Sequence, residues 1–321
     1  MILITGAAGF IGSCLIAELN KRGYTDLLLS DSLNKEGKKE NLNGKDFSTF
    51  IDREDLMLQN DAYFEDIECI FHLGARTDTT STDEKIFQNL NLEYSIFLWG
   101  KASKLGIPFY YASSAATYGK GEHGYEDDMT LLPLLHPLNA YARSKHQFDL
   151  YTVELTEMVE HWAGFKFFNV YGPNEYHKGR MASVVYHSYQ QILHEGEVRL
   201  FKSHHPDYND GGQLRDFIYV KDIVEILIFA WQNKISNGLY NAGTGRTASF
   251  EDLASAVFLA MNKEVNIKYI DMPEDIRENY QYYTCASMEK LISQGFTYSM
   301  SSIKEGVYDY VSSYLSRGLR M

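Results

Sequence analysis

The first dozen residues constrain this chain most. Ile2–Thr5 reads as a short apolar strand, and Thr5-Gly6-Ala7-Ala8-Gly9-Phe10-Ile11-Gly12 follows directly, opening a helical pattern over Ile11–Arg22. Glycines at 6, 9 and 12 meet three demands: a tight turn, close approach of a pyrophosphate to the backbone, and close packing of helix on strand. The helix N-terminus then faces the negative charge. A glycine triplet alone is a weak signal, but strand, triplet, helix and a following strand ending in an acid agree here. The segment is read as a dinucleotide site. Asp31, 19 positions after Gly12, can accept from an adenosine ribose hydroxyl, which favours NAD. Lys35, Lys38 and Lys39 follow closely, Arg53 stands near the next strand, and either group could hold a 2′-phosphate. The lysines also fit plain solvation of a loop. These residues leave NAD against NADP open.

Strand and helix signals then alternate. Leu27–Ser30, Ile67–Leu73, Phe109–Ser113 and Lys166–Val170 read as buried strands, with helical patterns from about Ile86 to Leu105 and from Tyr141 to about Val159. That rhythm implies parallel pairing and a Rossmann-like, doubly wound α/β sheet. The expected division is a dinucleotide-binding domain over 1–168 and a smaller α/β substrate-binding lobe over 169–321. Segments near 215–220 and 238–241 are expected to return to the sheet.

Composition narrows the partners. The net charge of −13 argues against nucleic acid or an anionic membrane. No apolar run approaches a membrane span, and no targeting segment precedes Met1-Ile2-Leu3-Ile4-Thr5. Cys14, Cys69 and Cys285 are scattered and lack metal-ligand spacing, as expected of reduced thiols in a cytoplasmic protein. The polar stretch Ser203–Gly212 reads as a surface loop; its adjacent histidines lack the spacing that would support a metal site.

Tyr141-Ala142-Arg143-Ser144-Lys145 carries the candidate chemistry. Tyrosine and lysine four residues apart share a helix face, about 5–6 Å between Cβ atoms. An ammonium nearby favours the phenolate and lowers the tyrosine pKa, making Tyr141 a usable proton acceptor. With 24 tyrosines in the chain, such a pair also arises by chance, so its weight comes from the motifs around it.

Those motifs are the N-terminal glycines, Tyr111-Ala112-Ser113-Ser114-Ala115-Ala116-Thr117-Tyr118-Gly119 and Phe168-Asn169-Val170-Tyr171-Gly172-Pro173. With the Tyr141/Lys145 pair they resemble the extended short-chain dehydrogenase/reductase superfamily. More narrowly, His177-Lys178-Gly179-Arg180-Met181-Ala182-Ser183 and Leu214-Arg215-Asp216-Phe217 are similar to the ADP-L-glycero-D-manno-heptose 6-epimerase family. The likeness covers essentially the whole chain. It implies inversion of C6″ of an ADP-linked manno-heptose by transient oxidation and re-reduction with tightly held NADP, in precursor synthesis for the lipopolysaccharide core. A homo-oligomer is also expected.

Position by position, the resemblance implies Tyr141 as one acid/base, Lys145 as its supporting lysine and Lys178 as the second acid/base. Ser114 matches the hydroxyl that bonds the reacting oxygen; the lesser alternative is a serine that merely ends a buried strand. A lone lysine such as Lys178 is ordinarily solvated; its place just after Gly172-Pro173 is what marks it. Beside the glycines, Asp31, Lys38 and Arg53, the implied dinucleotide contacts are Phe10, Ile11, Ser32, Leu73, Gly74, Ala75, Arg76, Thr77, Asn91 and Val170. Asn89 flanks Leu90 on the other side from Asn91, so the register there stays open. The implied sugar-nucleotide contacts are Asn169, Arg180, His187, Phe201, Lys202, Ser203, His204, Arg215 and Tyr280, with Arg215 on the diphosphate. Arg180 stands where relatives can carry a small hydroxyl residue. No metal is implied.

The rivals are a UDP-sugar 4-epimerase, which does not need Lys178, and a sugar-nucleotide dehydratase. The dehydratases carry an acidic pair where this chain has Ala115-Ala116-Thr117-Tyr118. A non-catalytic dinucleotide-binding protein would not need Ser114, Tyr141 and Lys145 together.

Overall fold

The computed structural model describes residues 1–155, 158–277 and 280–321, with only the backbone given at 275 and 276. Strands β1 (Ile2–Thr5), β2 (Leu27–Asp31), β3 (Thr49–Asp52), β4 (Cys69–His72), β5 (Phe109–Ser114) and β6 (Trp162–Phe167) lie side by side in the order β6-β5-β4-β1-β2-β3, all parallel. Five of them, β1, β2, β4, β5 and β6, are buried at every residue, which is why they read mainly as continuous apolar runs rather than alternating ones. Helices α1 (Phe10–Lys21), α2 (Arg53–Met57), α3 (Glu84–Phe87), α4 (Tyr94–Leu105) and α5 (Ala140–Glu154) make the crossovers. Strand order reverses between β1 and β4, and that switch point leaves the crevice that an open α/β sheet uses for ligands.

Two expected elements differ in form. The helical pattern from Ile86 to Leu105 is broken: a wide π-turn over Gln88–Glu93 joins α3 to α4. That turn widening buries Asn91 and leaves Asn89 exposed, which fixes the register. Helix α5 ends at Glu154; residues 156 and 157, inside the expected helix to Val159, lie outside the described residues.

Beyond β6 come short strands β7 (Asn169–Tyr171), β8 (Val198–Phe201), β9 (Leu214–Arg215) and β10 (Phe217–Tyr219), with α6 (Val184–His194) and α7 (Val220–Asn233) among them. Strand β11 (Gly238–Ala242) then pairs parallel with β6 and completes a seven-stranded sheet. The 215–220 segment, expected to rejoin that sheet, does not. With β11 on the open edge of β6, β10 pairs instead with β7, the continuation of β6 past Phe168. Residue 215 pairs with β12 (Ala248–Ser249), which leads into α8 (Phe250–Ala260), and β13 (Ile267–Ile270) pairs with β8.

Candidate active site

A cavity of about 670 Å³ opens at the switch point. Gly6, Gly9, Phe10, Ile11 and Gly12 line one side; Leu73, Gly74, Ala75, Arg76 and Thr77, which follow β4, line another. Gly6 has φ +66°, and a Cβ there would stand 2.7 Å from the Gly74 Cα; one on Gly12 would meet the Gly6 carbonyl oxygen at 2.3 Å. The glycines are thus demanded by backbone contact as well as by the turn. Gly9 caps α1 without a side-chain acceptor, and its first turn holds no acid. Amide N–H groups there are left for an anion. Cradle, volume and bare helix end fit a dinucleotide.

Asp31, Ser32, Lys35, Lys38 and Arg53 close the end beneath β2 and β3. The Asp31 carboxylate accepts from the Ala8 amide at 2.9 Å and the Ser32 amide at 2.7 Å, and it pairs with the Lys38 ammonium. Burial pushes the Lys35 ammonium below its ordinary range, helped by the charges of Arg76 and Lys38. The acid that suggests NAD is therefore already neutralised by a lysine, in a wall otherwise rich in positive charge.

One strand over, at the C-terminal end of β5, stand Ser114, Tyr141 and Lys145. Asn139 caps α5 by accepting from the Ala142 amide at 2.8 Å, which places Tyr141 in the first turn and Lys145 in the second. Lys145 is buried, its ammonium donates to the Ala112 carbonyl at 2.7 Å, and desolvation brings its pKa down to about 8 against the opposing pull of Asp149. Tyr141 departs from the sequence expectation. Burial pushes its hydroxyl up, and the group that opposes this is the Ser114 hydroxyl rather than Lys145. Desolvation here outweighs a lysine whose charge is spent on a carbonyl. Asn91 joins this group to the cavity wall: its side chain bonds the Arg76 amide (2.7 Å) and carbonyl (3.0 Å) and the Ser144 hydroxyl (2.9 Å). It holds the wall, with its side chain turned away from the cavity. Val170 lies in β7, half-buried beside Ile218.

Lys178 lines the cavity from a helical turn over Tyr176–Met181, its ammonium 5.3 Å from the centre of the Phe10 ring. Burial lowers its pKa; Glu175 opposes this and Lys35 adds to it. Its neighbour His177, also in the wall, is held down to about 4 by burial and by Lys38, Lys35 and Lys178, so it stays neutral. Lys178 thus lies in the cavity wall, whereas Ser114, Tyr141 and Lys145 are not among the residues that line it.

Residues 2–243 match the model of the NAD dependent epimerase/dehydratase family. The chain belongs to that family. Within it, the chain is 45% identical to an ADP-L-glycero-D-manno-heptose-6-epimerase of Fusobacterium nucleatum, over 99% of this chain and 98% of that one. It is 44% identical to the enzyme of the same name from Nitratidesulfovibrio vulgaris, over 98% of each. Among solved structures, a UDP-N-acetylglucosamine 4-epimerase of Methanobrevibacter ruminantium superposes with a TM-score of 0.82 at 25% identity, over 98% of each chain.

In this epimerase/dehydratase chain a second cluster lies around Arg215. The guanidinium is buried, bonds the Leu214 carbonyl at 2.9 Å and the Gln281 carbonyl, and lies 5.4 Å and 5.7 Å from the Tyr280 and Phe250 rings. Tyr125 and Tyr208 also act on its charge, and burial lowers its pKa. The His204 amide donates to the Tyr282 hydroxyl at 3.0 Å, the Ser203 amide to Asp210 at 2.7 Å, and Lys202 pairs with Asp271 at 3.2 Å. Phe201, at the end of β8, accepts from Gln213. Asn169 exposes its side chain beyond β6. His187 meets the Arg180 carbonyl at 3.3 Å, while the Arg180 guanidinium turns away to Asp78 and Thr80 and lines the dinucleotide cavity. Asp78, His177 and Met181 line that cavity too and were not singled out from sequence; for the last two, adjacency to Lys178 was the available signal.

Proposed function

We infer that this protein is an ADP-L-glycero-D-manno-heptose 6-epimerase, inverting C6″ of an ADP-linked manno-heptose used to build the lipopolysaccharide core. The observation that carries the reading is Lys178 in the cavity wall, in a chain 44–45% identical to enzymes of that name. A UDP-sugar 4-epimerase, which can turn its keto intermediate past a single tyrosine, has no use for Lys178.

The reaction needs a group on each face of one carbinol. The residues lining the cavity would hold a nicotinamide dinucleotide, which would supply the hydride acceptor and donor for the carbinol carbon. Tyr141 exchanges the proton of the hydroxyl in one epimer, with Ser114 donating to the same oxygen. Lys145 holds a fixed positive charge on the Ala112 carbonyl beside Tyr141, while the Ser114 hydroxyl is the group that favours the ionised tyrosine. The short C6″–C7″ end then turns, and Lys178 exchanges the proton at the oxygen on the opposite face. A buried amine with a lowered pKa suits both directions of that transfer. Arg215 is suited to the diphosphate: a buried planar fork with five donors and carbonyls for partners.

NADP is the preferred dinucleotide. Asp31 is paired with Lys38, and Lys35, Arg53 and Arg76 supply further positive charge in the same wall. Gly6, Gly9 and Gly12 with the start of α1 would hold the pyrophosphate. We further propose a cytoplasmic homo-oligomer with a dinucleotide unit over 1–168 and a substrate lobe over 169–321. Incubation with ADP-D-glycero-D-manno-heptose, followed by NMR of the sugar, tests the activity: the L-glycero epimer is expected, and an unchanged sugar with inversion of a UDP-hexose at C4″ would replace this reading with the 4-epimerase.

A further inference from the structure

Glu175 is a fully buried carboxylate three residues before Lys178, and the reaction as derived makes no use of it. Its side chain ties together the two ends of the stretch that carries Lys178. One oxygen accepts from the Ser183 hydroxyl at 2.6 Å and from the Gly172 amide at 3.4 Å; the other accepts from the Ser183 amide. Gly172 is where the chain leaves β7, and Ser183 is the N-cap of α6. Lys178 sits between these anchors, its amide bonded to the Glu175 carbonyl at 2.9 Å.

The carboxylate also acts by its charge. Lys35 faces Lys178 from the segment after β2 and opposes its protonation; Glu175 favours it. Lys38 lies in the same wall, the Phe10 ring faces it from α1, and His177 beside it is neutral. Burial pushes the Glu175 carboxyl up, while the Ser183 donors and Lys178 pull it back toward the ionised form.

We propose that Glu175 is a positioning residue for the Lys178 half of the reaction: it closes the loop that presents the amine and sets a negative charge against it. This rests on Lys178 as the second acid/base. Glu175 itself takes no proton. The proton leaving the carbinol oxygen bonds to Lys178 Nζ in one direction and returns in the other.

Glu175→Gln keeps one oxygen for the Ser183 hydroxyl and the Gly172 amide, loses the acceptor for the Ser183 amide and removes the charge. With a negative charge gone, the Lys178 amine holds its proton less tightly. One limb of the pH profile of kcat/KM should therefore move to lower pH by on the order of one pH unit, the other staying put. At neutral pH kcat should fall about tenfold or more, with KM within about twofold. Reduction of an aldehyde analogue at the Tyr141 face should continue. Parent kcat and an unmoved profile in folded Glu175→Gln, alongside an inactive Lys178→Met, would overturn the role of Glu175 alone. An active Lys178→Met would instead overturn the reading beneath it. If Glu175→Gln does not fold, Ser183→Ala loosens the same clamp while keeping the charge. It should lower kcat several-fold with both limbs unmoved, and parent kcat there would equally sink the proposal.

Discussion

Lys145 donates its ammonium to the Ala112 carbonyl 2.7 Å away, and this bond is part of a short zipper between β5 and α5. Ser113, the next residue along, donates to Asp149 at 2.7 Å, and the Ser114 hydroxyl favours the ionised form of Tyr141. Three consecutive strand residues thus act on three helix residues spaced by four, two of them through hydrogen bonds, because the strand end runs under one face of the helix. The charge of Lys145 is fixed in place and costly to keep.

That cost gives the first expectation. In the free protein the Lys145 pKa is brought down to about 8, against about 10.4 for an unfolded lysine. Below about pH 8 both states hold the proton; between there and about 10.4 the unfolded state holds more, so this group makes stability rise with pH. The full rise is about 3 kcal/mol at 1.4 kcal/mol per unit. Urea unfolding of cofactor-free protein at pH 7.5 and 10 should show a component of this sign that Lys145→Met lacks. Activity moves the other way: kcat/KM should decline above about pH 8 as the supporting ammonium is lost, and Lys145→Arg should push that decline to higher pH.

Tyr141→Phe should bind cofactor as the parent does and lose about 10²–10⁴-fold in kcat, the usual worth of a positioned acid/base. Circular dichroism and dinucleotide titration separate this from misfolding. Near-parent turnover would make the tyrosine structural and remove it from the mechanism.

Much of this site was legible in the chain. The glycine cradle, Asp31 and the run Leu73–Thr77 were placed by periodicity and by likeness to a family with a strict turn, and the cavity gathers them. The Tyr141 pKa was not legible. A spacing of four residues reports distance to Lys145 but not how deeply both are buried, and burial decides the sign. The pairing of 215–220 was hidden for a related reason: its pattern says strand, while the choice of partner depends on β11 having filled the edge of β6. Glu175 carried no signal beyond being an acid near Lys178, since its role lies in closing a loop.

Lys178→Met keeps the stem's bulk and removes the amine. Epimerisation should fall by about 10² or more, while an aldehyde analogue of the intermediate should still be reduced from the Tyr141 face to mainly one stereochemical product. Chiral analysis of that product is the measurement. Parent-rate epimerisation would remove Lys178 as a base and most of the case for a heptose substrate.

Dinucleotide choice tests the positive wall around Asp31. NADP should bind the parent at least tenfold tighter than NAD, about 1.4 kcal/mol. Lys38→Ala with Arg53→Ala should erase most of that preference by weakening NADP, leaving NAD affinity within about twofold. Tighter NAD binding in the parent would mean Asp31 accepts from a ribose hydroxyl after all, with Lys38 as its counter-ion.

Behind the zipper, Lys166 and Asp149 form an ion pair at 2.8 Å, 1% and 0% exposed, with Thr117 bonding the ammonium at 2.6 Å and Tyr111 donating to the carboxylate at 3.1 Å. A pair this deep gains little over an apolar replacement, but breaking it strands a charge. Lys166→Met should therefore cost about 3–5 kcal/mol, read as a fall in the urea midpoint. Asp149→Asn combined with Lys166→Met removes both charges of the pair and keeps one acceptor oxygen, for Tyr111 or for Ser113. It also takes away the carboxylate set against Lys145, so it should recover part of the loss. If the double variant is as unstable as Lys166→Met alone, the contribution of Lys166 lies in packing, including its position 5.0 Å from the Tyr118 ring, rather than in its charge.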